Sequence, residues 1–199
     1  MWVTVTGGSG SGKSKMAEDI MQFLCPGEKV YLATMQSLDA EMLRRIEKHR
    51  HMRSGKHFTT VEQGTTLQKL VLPKEAKNGI LLECMSNLAA NEMYARASEA
   101  KELPEEKLAE YILEEVRSLK ERTEHLVVVT NDVFLERPVY EETDRYLRIL
   151  GQVNRGLAEA SDLFLEVVYG LPVFLKEIPQ AKQLGKQLPA FKMCSTVLL

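Results

Sequence analysis

Residues 2 to 14 read Trp2-Val3-Thr4-Val5-Thr6-Gly7-Gly8-Ser9-Gly10-Ser11-Gly12-Lys13-Ser14. The first part of this stretch is short and rich in β-branched residues, which predicts a buried strand. The second part fits the pattern GxxxxGK followed by Ser or Thr, and apolar residues then recur at helical spacing up to Leu24. Because a strand, a glycine-rich turn and a helix follow one another, the stretch predicts a loop that binds phosphate groups.

The backbone of this turn gives the prediction its physical basis. Glycines let the loop curl so that its N–H groups point inward, and the helix N-terminus adds positive partial charge. We expect Lys13 to contact the outer phosphates of a nucleotide and the Ser14 hydroxyl to bind Mg²⁺. A chance match is the alternative, but the flanking strand and helix favour a binding loop. The predicted loop contacts are Gly7, Gly8, Ser9, Gly10, Ser11, Gly12, Lys13 and Ser14.

The composition is that of an ordinary globular protein. The chain has 199 residues, of which 44% are apolar and 27% are charged. One α/β domain is therefore expected at residues 1–179, with a C-terminal tail at 180–199. Lysine and arginine total 26 against 28 aspartates and glutamates, which gives a net charge of −2. Without an excess of positive charge, no nucleic-acid partner is expected.

The number and spacing of the cysteines and the length of the apolar runs indicate the cellular compartment of the protein. The odd number of cysteines (Cys25, Cys84 and Cys194) and the lack of a CxxC spacing argue against a disulfide framework and a cysteine-based zinc site. No apolar run reaches membrane-spanning length, and the N-terminus lacks the pattern of a secretory leader. The sequence therefore predicts a cytoplasmic protein with no membrane span.

Strand-like apolar runs alternate with helix-like segments along the chain. Beyond residues 2–6 and 13–24, strands are predicted at 30–34, 79–84, 126–130, 163–168 and 173–178, and helices at 87–100, 105–122 and 141–160, with another from 37 or 39 towards 49. Helices of this length between strands favour a mostly parallel sheet covered on both faces. The short connection at Gly170-Leu171-Pro172 predicts an antiparallel hairpin at one edge.

A nucleotide site of this kind also needs a carboxylate that holds or orients Mg²⁺, usually at the end of a buried strand. Glu83 follows Ile80-Leu81-Leu82 and is the preferred candidate, because a glutamate among apolar residues is costly to bury without a partner. Asp132, just past the strand at 126–130, is the second candidate. Either carboxylate could instead cap the helix that follows it.

The segment Lys48-His49-Arg50-His51-Met52-Arg53 combines imidazole and guanidinium groups. An imidazole can attack an α-phosphate while neighbouring arginines neutralise the phosphate oxygens. From local sequence alone, a solvated basic helix end is the more common interpretation of such a segment. His57 and His125 have no comparable setting and are predicted to be structural. The four histidines also lack the spacing of a metal site.

Seven segments resemble a known family when they are taken in order. They are Thr6–Ser14, Tyr31–Gln36, Asp39–Arg50, Thr60–Glu62, Leu81–Asn91, Val129–Val133 and Gly151–Arg155. The family is that of the bifunctional adenosylcobinamide kinases / adenosylcobinamide-phosphate guanylyltransferases of cobalamin biosynthesis. Only the phosphate-binding loop is specific by itself, so the resemblance depends on the ordered set.

The resemblance implies a RecA-like fold of the P-loop NTPase class, assembly as a homotrimer and two reactions. In the first, ATP or GTP phosphorylates the aminopropanol hydroxyl of a corrinoid, adenosylcobinamide. In the second, GTP transfers GMP to that phosphate through a guanylyl-histidine and releases pyrophosphate. The histidine of the family falls on His49, which with Lys13 and Glu83 makes up the expected catalytic set.

The resemblance also carries nucleotide contacts onto this chain by position. Beyond the loop at 7–14, they are Thr34, Met35, Gln36, Arg50, His51, Met52, Arg53, Glu62 and Glu83. The chain departs from the family at Gly10, where arginine is common, and at 134–139, where a glycine-rich segment is usual. Loops at the carboxyl ends of parallel strands shape substrate pockets. A kinase of another small hydroxyl substrate and a non-catalytic nucleotide-binding homologue are therefore kept as alternatives.

Overall fold

One sheet dominates the computed structural model, which describes residues 1–35, 55–97, 103–133 and 140–182. The strands of these ranges are β1 (Trp2–Thr6), β2 (Lys29–Ala33), β3 (Phe58–Glu62), β4 (Gly79–Glu83), β5 (His125–Val129), β6 (Leu163–Val168) and β7 (Leu171–Glu177). Their order across the sheet is β3-β2-β4-β5-β1-β6-β7. Neighbouring strands are parallel except for β6 and β7, which form the antiparallel edge hairpin expected from the sequence.

Helices cover both faces of this sheet. They are α1 (Lys13–Leu24), α2 (Met85–Ala97), α3 (Glu105–Glu121) and α4 (Glu141–Ala160), together with short 3-10 helices at Leu67–Lys69 and Lys74–Lys77. Buried residues of α2, α3 and α4 share one core cluster, and those of α1 lie in the other. The α/β class and the mostly parallel sheet predicted from the sequence are confirmed.

The central strands are apolar on both faces because each face is covered. In β4, Ile80 and Leu82 pack into the core on the α2 side, whereas Leu81 packs into the core on the α1 side. All three side chains are fully buried. Continuous rather than alternating hydrophobicity is what a parallel sheet between two helical layers requires.

Among the strands of the described residues, β3 (Phe58–Glu62) is the one that the sequence pattern does not predict. Thr59, Thr60 and Glu62 are exposed on this edge strand, so the run of buried residues that would predict a strand is missing here. The bounds of the other predicted strands and helices agree within a few residues. The helix predicted from 37 or 39 towards 49 lies outside the described residues. Within the described ranges, no helix has both the length and the apolarity that spanning a membrane requires.

The chain that enters β3 is joined to α1 by a buried ion pair. Lys56 Nζ lies 2.6 Å from a carboxylate oxygen of Glu18. The Glu18 side chain is 0% exposed and that of Lys56 31% exposed. The other Glu18 oxygen is buried without a hydrogen-bond partner among the described residues. The carboxylate therefore depends on the lysine for its compensation.

We expect Lys56→Met to lower the free energy of unfolding by about 2 kcal/mol, because it leaves a buried carboxylate without its cation. Adding Glu18→Gln to this variant should recover part of the loss. Lys15→Met is the matched control, since the Lys15–Asp19 pair on the same helix is exposed and should contribute less than about 0.5 kcal/mol. Urea denaturation measures all three variants, and equal losses for the two lysines would contradict the assignment.

Candidate nucleotide-binding site

The glycine-rich turn lies between the carboxyl end of β1 and the start of α1, as the sequence predicts. Gly7 has φ +149° and Gly12 has φ +94°, backbone conformations that residues other than glycine rarely adopt. The Gly7 carbonyl accepts a hydrogen bond from the Asp132 N–H at 3.3 Å, and the Ser11 carbonyl accepts one from the Gly170 N–H at 2.9 Å. Segments following β5 and β6 thus hold the turn from both sides.

Lys13 lies beside this turn and beside the end of β4. Its Nζ donates a hydrogen bond to the Gly8 carbonyl at 3.0 Å. Burial lowers the pKa of Lys13, while the nearby Cys84 and Glu83 raise it. A partly desolvated ammonium group of this kind interacts strongly with an anion that enters the site.

Glu83 at the end of β4 is joined to the first turn of α1. Its Oε1 accepts a hydrogen bond from Ser14 Oγ at 2.5 Å, and its Oε2 accepts one from the Tyr31 hydroxyl at 2.9 Å. Glu83 is the preferred carboxylate from the sequence, and the structure places it against the serine of the loop. The second candidate, Asp132, lies on the other side of the turn, where its backbone contacts Gly7.

The Ser14–Glu83 pair has the donor atoms that suit Mg²⁺. A hydroxyl and a carboxylate oxygen meet at 2.5 Å beside the phosphate-binding turn. Magnesium takes hard oxygen ligands and keeps several water molecules, so one or two protein oxygens together with substrate phosphates form a typical site. The residues present therefore fit the cation.

Thr34 joins the ends of β2 and β4. Its Oγ1 donates to the Cys84 carbonyl at 2.8 Å and accepts from the Cys84 N–H at 2.9 Å, and its own N–H donates to the Glu83 carbonyl at 3.0 Å. The Thr34 side chain is fully buried. Its hydroxyl thus fixes the backbone next to Glu83, and the described chain continues to Met35.

Glu62 also lies at the carboxyl end of its strand, but further from the turn. Ala33 of β2 is in register with Glu62 of β3 on one side and with Glu83 of β4 on the other. Two strand spacings separate the two glutamates, about 10 Å. The strand order puts Glu62 four spacings from β1, about 19 Å, so it lies well away from the turn and from Lys13.

A polar network completes this edge of the sheet. The Asn131 amide donates to Ser86 Oγ, Asn154 Nδ2 donates to the Asn131 carbonyl at 3.2 Å, and Thr130 Oγ1 donates to Asn154 Oδ1 at 2.6 Å. Local sequence patterns indicate no role for these side chains or for the Tyr31 hydroxyl. All five residues fall in the segments that carry the family resemblance, which is the one signal that could have found them.

Several predicted site residues lie outside the described ranges. They are Gln36, His49, Arg50, His51, Met52 and Arg53, as is the divergent segment 134–139. The histidines that the structure describes lie at the amino ends of the strands, opposite the site. His57 immediately precedes β3 and His125 begins β5, whereas Glu83 and the turn lie at carboxyl ends.

A glycine-rich turn between β1 and α1 of a mostly parallel sheet, with a strand-end carboxylate bonded to its serine, defines a nucleotide-binding protein of the P-loop NTPase class. The solved structure of an ATP synthase subunit, NeqB of Nanoarchaeum equitans, has this fold. It superposes with a TM-score of 0.51 at 9% identity over 83% of this chain and 44% of that chain. At this identity the likeness concerns the fold alone.

Sequence relatives narrow the class to one family. A family model for cobinamide kinase / cobinamide phosphate guanyltransferase matches residues 3–175. The bifunctional adenosylcobalamin biosynthesis protein CobU of Escherichia coli K12 is 34% identical over 88% of this chain and 100% of its own length. That of Salmonella typhimurium LT2 is 33% identical over the same shares. The chain belongs to the cobinamide kinase / cobinamide phosphate guanyltransferase family.

The geometry of the turn predicts different effects for its first two glycines. A Cβ on Gly7 would lie 2.6 Å from the Val167 carbonyl oxygen and 2.7 Å from Ser11 Oγ, whereas a Cβ on Gly8 would meet nothing within 4 Å. We expect Gly7→Ala to lower the free energy of unfolding by about 2 kcal/mol. Gly8→Ala should change it by less than about 0.5 kcal/mol. Denaturation without nucleotide measures both, and equal stabilities would show that the turn has another conformation.

Proposed function

We propose that this kinase and guanylyltransferase of cobalamin biosynthesis carries out both of its reactions around the turn at 7–14 and Glu83. ATP or GTP phosphorylates the aminopropanol hydroxyl of adenosylcobinamide, and GTP then provides GMP to give adenosylcobinamide-GDP. The hydrogen bond between Ser14 Oγ and Glu83 Oε1 carries this proposal, because it joins the phosphate-binding turn to a strand-end carboxylate. Membership of the family supports both reactions.

The residues of the turn bind and orient the triphosphate. Inward-facing backbone amides of the turn and of the N-terminus of α1 donate hydrogen bonds to the phosphate oxygens. Lys13, already partly desolvated, balances charge on the outer phosphates. Phosphoryl transfer needs little covalent help from a protein, so position and charge account for most of the catalysis in the kinase reaction.

Ser14 and Glu83 would hold Mg²⁺, which when bound neutralises charge on the phosphate oxygens. Tyr31 fixes the Glu83 carboxylate by donating to its other oxygen at 2.9 Å. In the kinase reaction, Glu83 is also proposed to orient the acceptor hydroxyl and to accept its proton. The hydrogen bond from Tyr31 keeps the carboxylate in place before the substrates bind.

His49 is the proposed nucleophile of the second reaction. An imidazole nitrogen forms a bond to the α-phosphorus of GTP, the bond from that phosphorus to the bridging oxygen breaks, and pyrophosphate leaves with the electron pair. A phosphate oxygen of the corrinoid then attacks the same phosphorus and releases the histidine. Arg50 and Arg53 share the negative charge that develops. The resemblance supports these roles.

The same proposal covers the remaining contacts and the setting of the enzyme. The segment that contains His49 follows Met35 in the chain. Thr34, which precedes Met35, is hydrogen-bonded to Cys84, the residue after Glu83. Thr34, Met35, Gln36, His51, Met52 and Glu62 are proposed as further nucleotide contacts. Assembly as a homotrimer in the cytoplasm, with a corrinoid as the partner substrate, belongs to this proposal as well.

Labelled GTP tests the proposal directly. GTP labelled at the α-phosphate should leave label on the protein that is labile in acid and stable in alkali, as a phosphorus–nitrogen bond requires. GTP labelled at the γ-phosphate should leave none on the protein and should label adenosylcobinamide. We expect His49→Asn to abolish protein labelling and to retain transfer of the γ-phosphate.

His57→Asn is the matched control for this experiment. His57 lies before β3 with φ +57°, a conformation that asparagine tolerates. This variant should label as the wild type does. Label that persists in His49→Asn would remove the histidine from the mechanism. Transfer of the γ-phosphate to other small alcohols, with no label on the protein, would instead support a simple kinase.

A further inference from the structure

Two carboxyl groups are buried between α2 and α3, at a distance from the turn. Glu92 is 1% exposed and Glu115 is 0% exposed. Glu92 Oε1 accepts a hydrogen bond from the Thr66 N–H at 2.6 Å, and Glu115 Oε1 accepts one from the Leu67 N–H at 2.7 Å. Two adjacent backbone amides are therefore held by carboxyl groups from two different helices.

The segment that these carboxyl groups hold follows directly from β3. Residues 63–67 connect Glu62 to the first 3-10 helix. The side-chain amide of Asn91 donates to the Thr34 carbonyl at 2.8 Å and to the Gly64 carbonyl at 3.0 Å. The Gln63 N–H donates to the Ala33 carbonyl at 2.9 Å. Asn91 thus ties the chain after β3 to the end of β2, and the two glutamates hold the residues that follow.

We propose that Glu92 and Glu115 are positioning residues for the nucleotide site. By holding the amides of Thr66 and Leu67, they fix the segment at 63–67 and with it Glu62 and Thr34. The inference rests on the proposed function, in which Glu62 and Thr34 contact the nucleotide. Without the two carboxyl groups, the buried Leu67 amide and the partly buried Thr66 amide would be unpaired, so the segment would shift to find water or another partner.

Few charged groups surround this carboxyl pair. Arg96 Nε of α2 donates to Glu92 Oε2 at 3.2 Å, and its guanidinium lies over the ring of Tyr111. The Tyr111 hydroxyl of α3 donates to Glu115 Oε1 at 3.2 Å. Lys69 of the 3-10 helix is exposed. Among the described residues, a single guanidinium therefore compensates two buried carboxyl groups.

A proton on Glu115 would reduce the buried negative charge of the pair. Glu115 Oε2 is buried and has no hydrogen-bond partner among the described residues, so this oxygen is free to hold the proton. Burial and the charge of Glu92 raise the pKa of Glu115 from 4.5 to about 7. The folded chain binds this proton more tightly than the unfolded chain. The contribution of Glu115 to the free energy of unfolding therefore falls as the pH rises from 4.5 to about 7.

Substitutions at Glu115 separate positioning from simple support of the fold. In Glu115→Gln an amide replaces the protonated carboxyl group, and its oxygen still accepts from Leu67 and Tyr111. In Glu115→Leu both hydrogen bonds are lost. Glu114→Leu and Glu114→Gln on the same helix are the matched controls, because Glu114 is 59% exposed beside Arg117.

The measurement is the affinity of each folded variant for GTP and for inorganic tripolyphosphate, with Mg²⁺ present. Tripolyphosphate reports on the turn at 7–14 alone, since Glu62 lies four strand spacings away. We expect Glu115→Leu to weaken GTP binding about tenfold while tripolyphosphate binding stays within about twofold. Glu115→Gln should restore GTP binding, and the ratio of its affinity to that of the wild type should rise from about pH 6 to about pH 8.

Two results would overturn the inference. One is a Glu115→Leu protein that is less stable by urea denaturation but binds GTP as the wild type does. The other is an equal loss of GTP and tripolyphosphate binding, which would indicate a general distortion of the site. If the wild type binds neither ligand, the proposed function fails instead, so the two failures are distinguishable.

Discussion

The hydrogen bond from Ser14 to Glu83 is the contact on which the arrangement of this site depends. It joins the first turn of α1 to the end of β4 across β5, which lies between β4 and β1 in the sheet. Parallel strands bring all their carboxyl ends to one edge, so residues far apart in sequence meet there. Tyr31 and Thr34 hold the carboxylate and the backbone beside it.

Sequence reasoning predicts the parts of this structure that have a strong local signal. The turn from Gly7 to Ser14 is set by glycine geometry and by the strand and helix that flank it, and Glu83 ends a run of buried residues. Strand β3 is missed because its pattern is that of an exposed edge, where pairing with β2 rather than burial makes the strand. The hydroxyl of Tyr31 is missed because an apolar strand pattern says nothing about which polar tip reaches a partner.

The contacts that local sequence patterns do not predict are mainly polar contacts between residues far apart in the chain. Asn91, Glu92 and Glu115 lie on helices whose apolar spacing is ordinary, yet they bind backbone groups of the segment after β3. Buried polar groups need partners, and only the assembled sheet determines which ones. These side chains therefore hold the chain next to the strand ends that carry Thr34 and Glu62.

Calorimetric titration of GTP with and without Mg²⁺ decides whether Ser14 and Glu83 form a cation site. We expect Mg²⁺ to strengthen GTP binding to the wild type and Glu83→Gln to remove most of this effect. Binding in the presence of a chelator should be no weaker for Glu83→Gln than for the wild type, because the turn is unchanged and one negative charge beside Lys13 is removed. An equal strengthening by Mg²⁺ in both proteins would contradict the claim that Ser14 and Glu83 form the cation site.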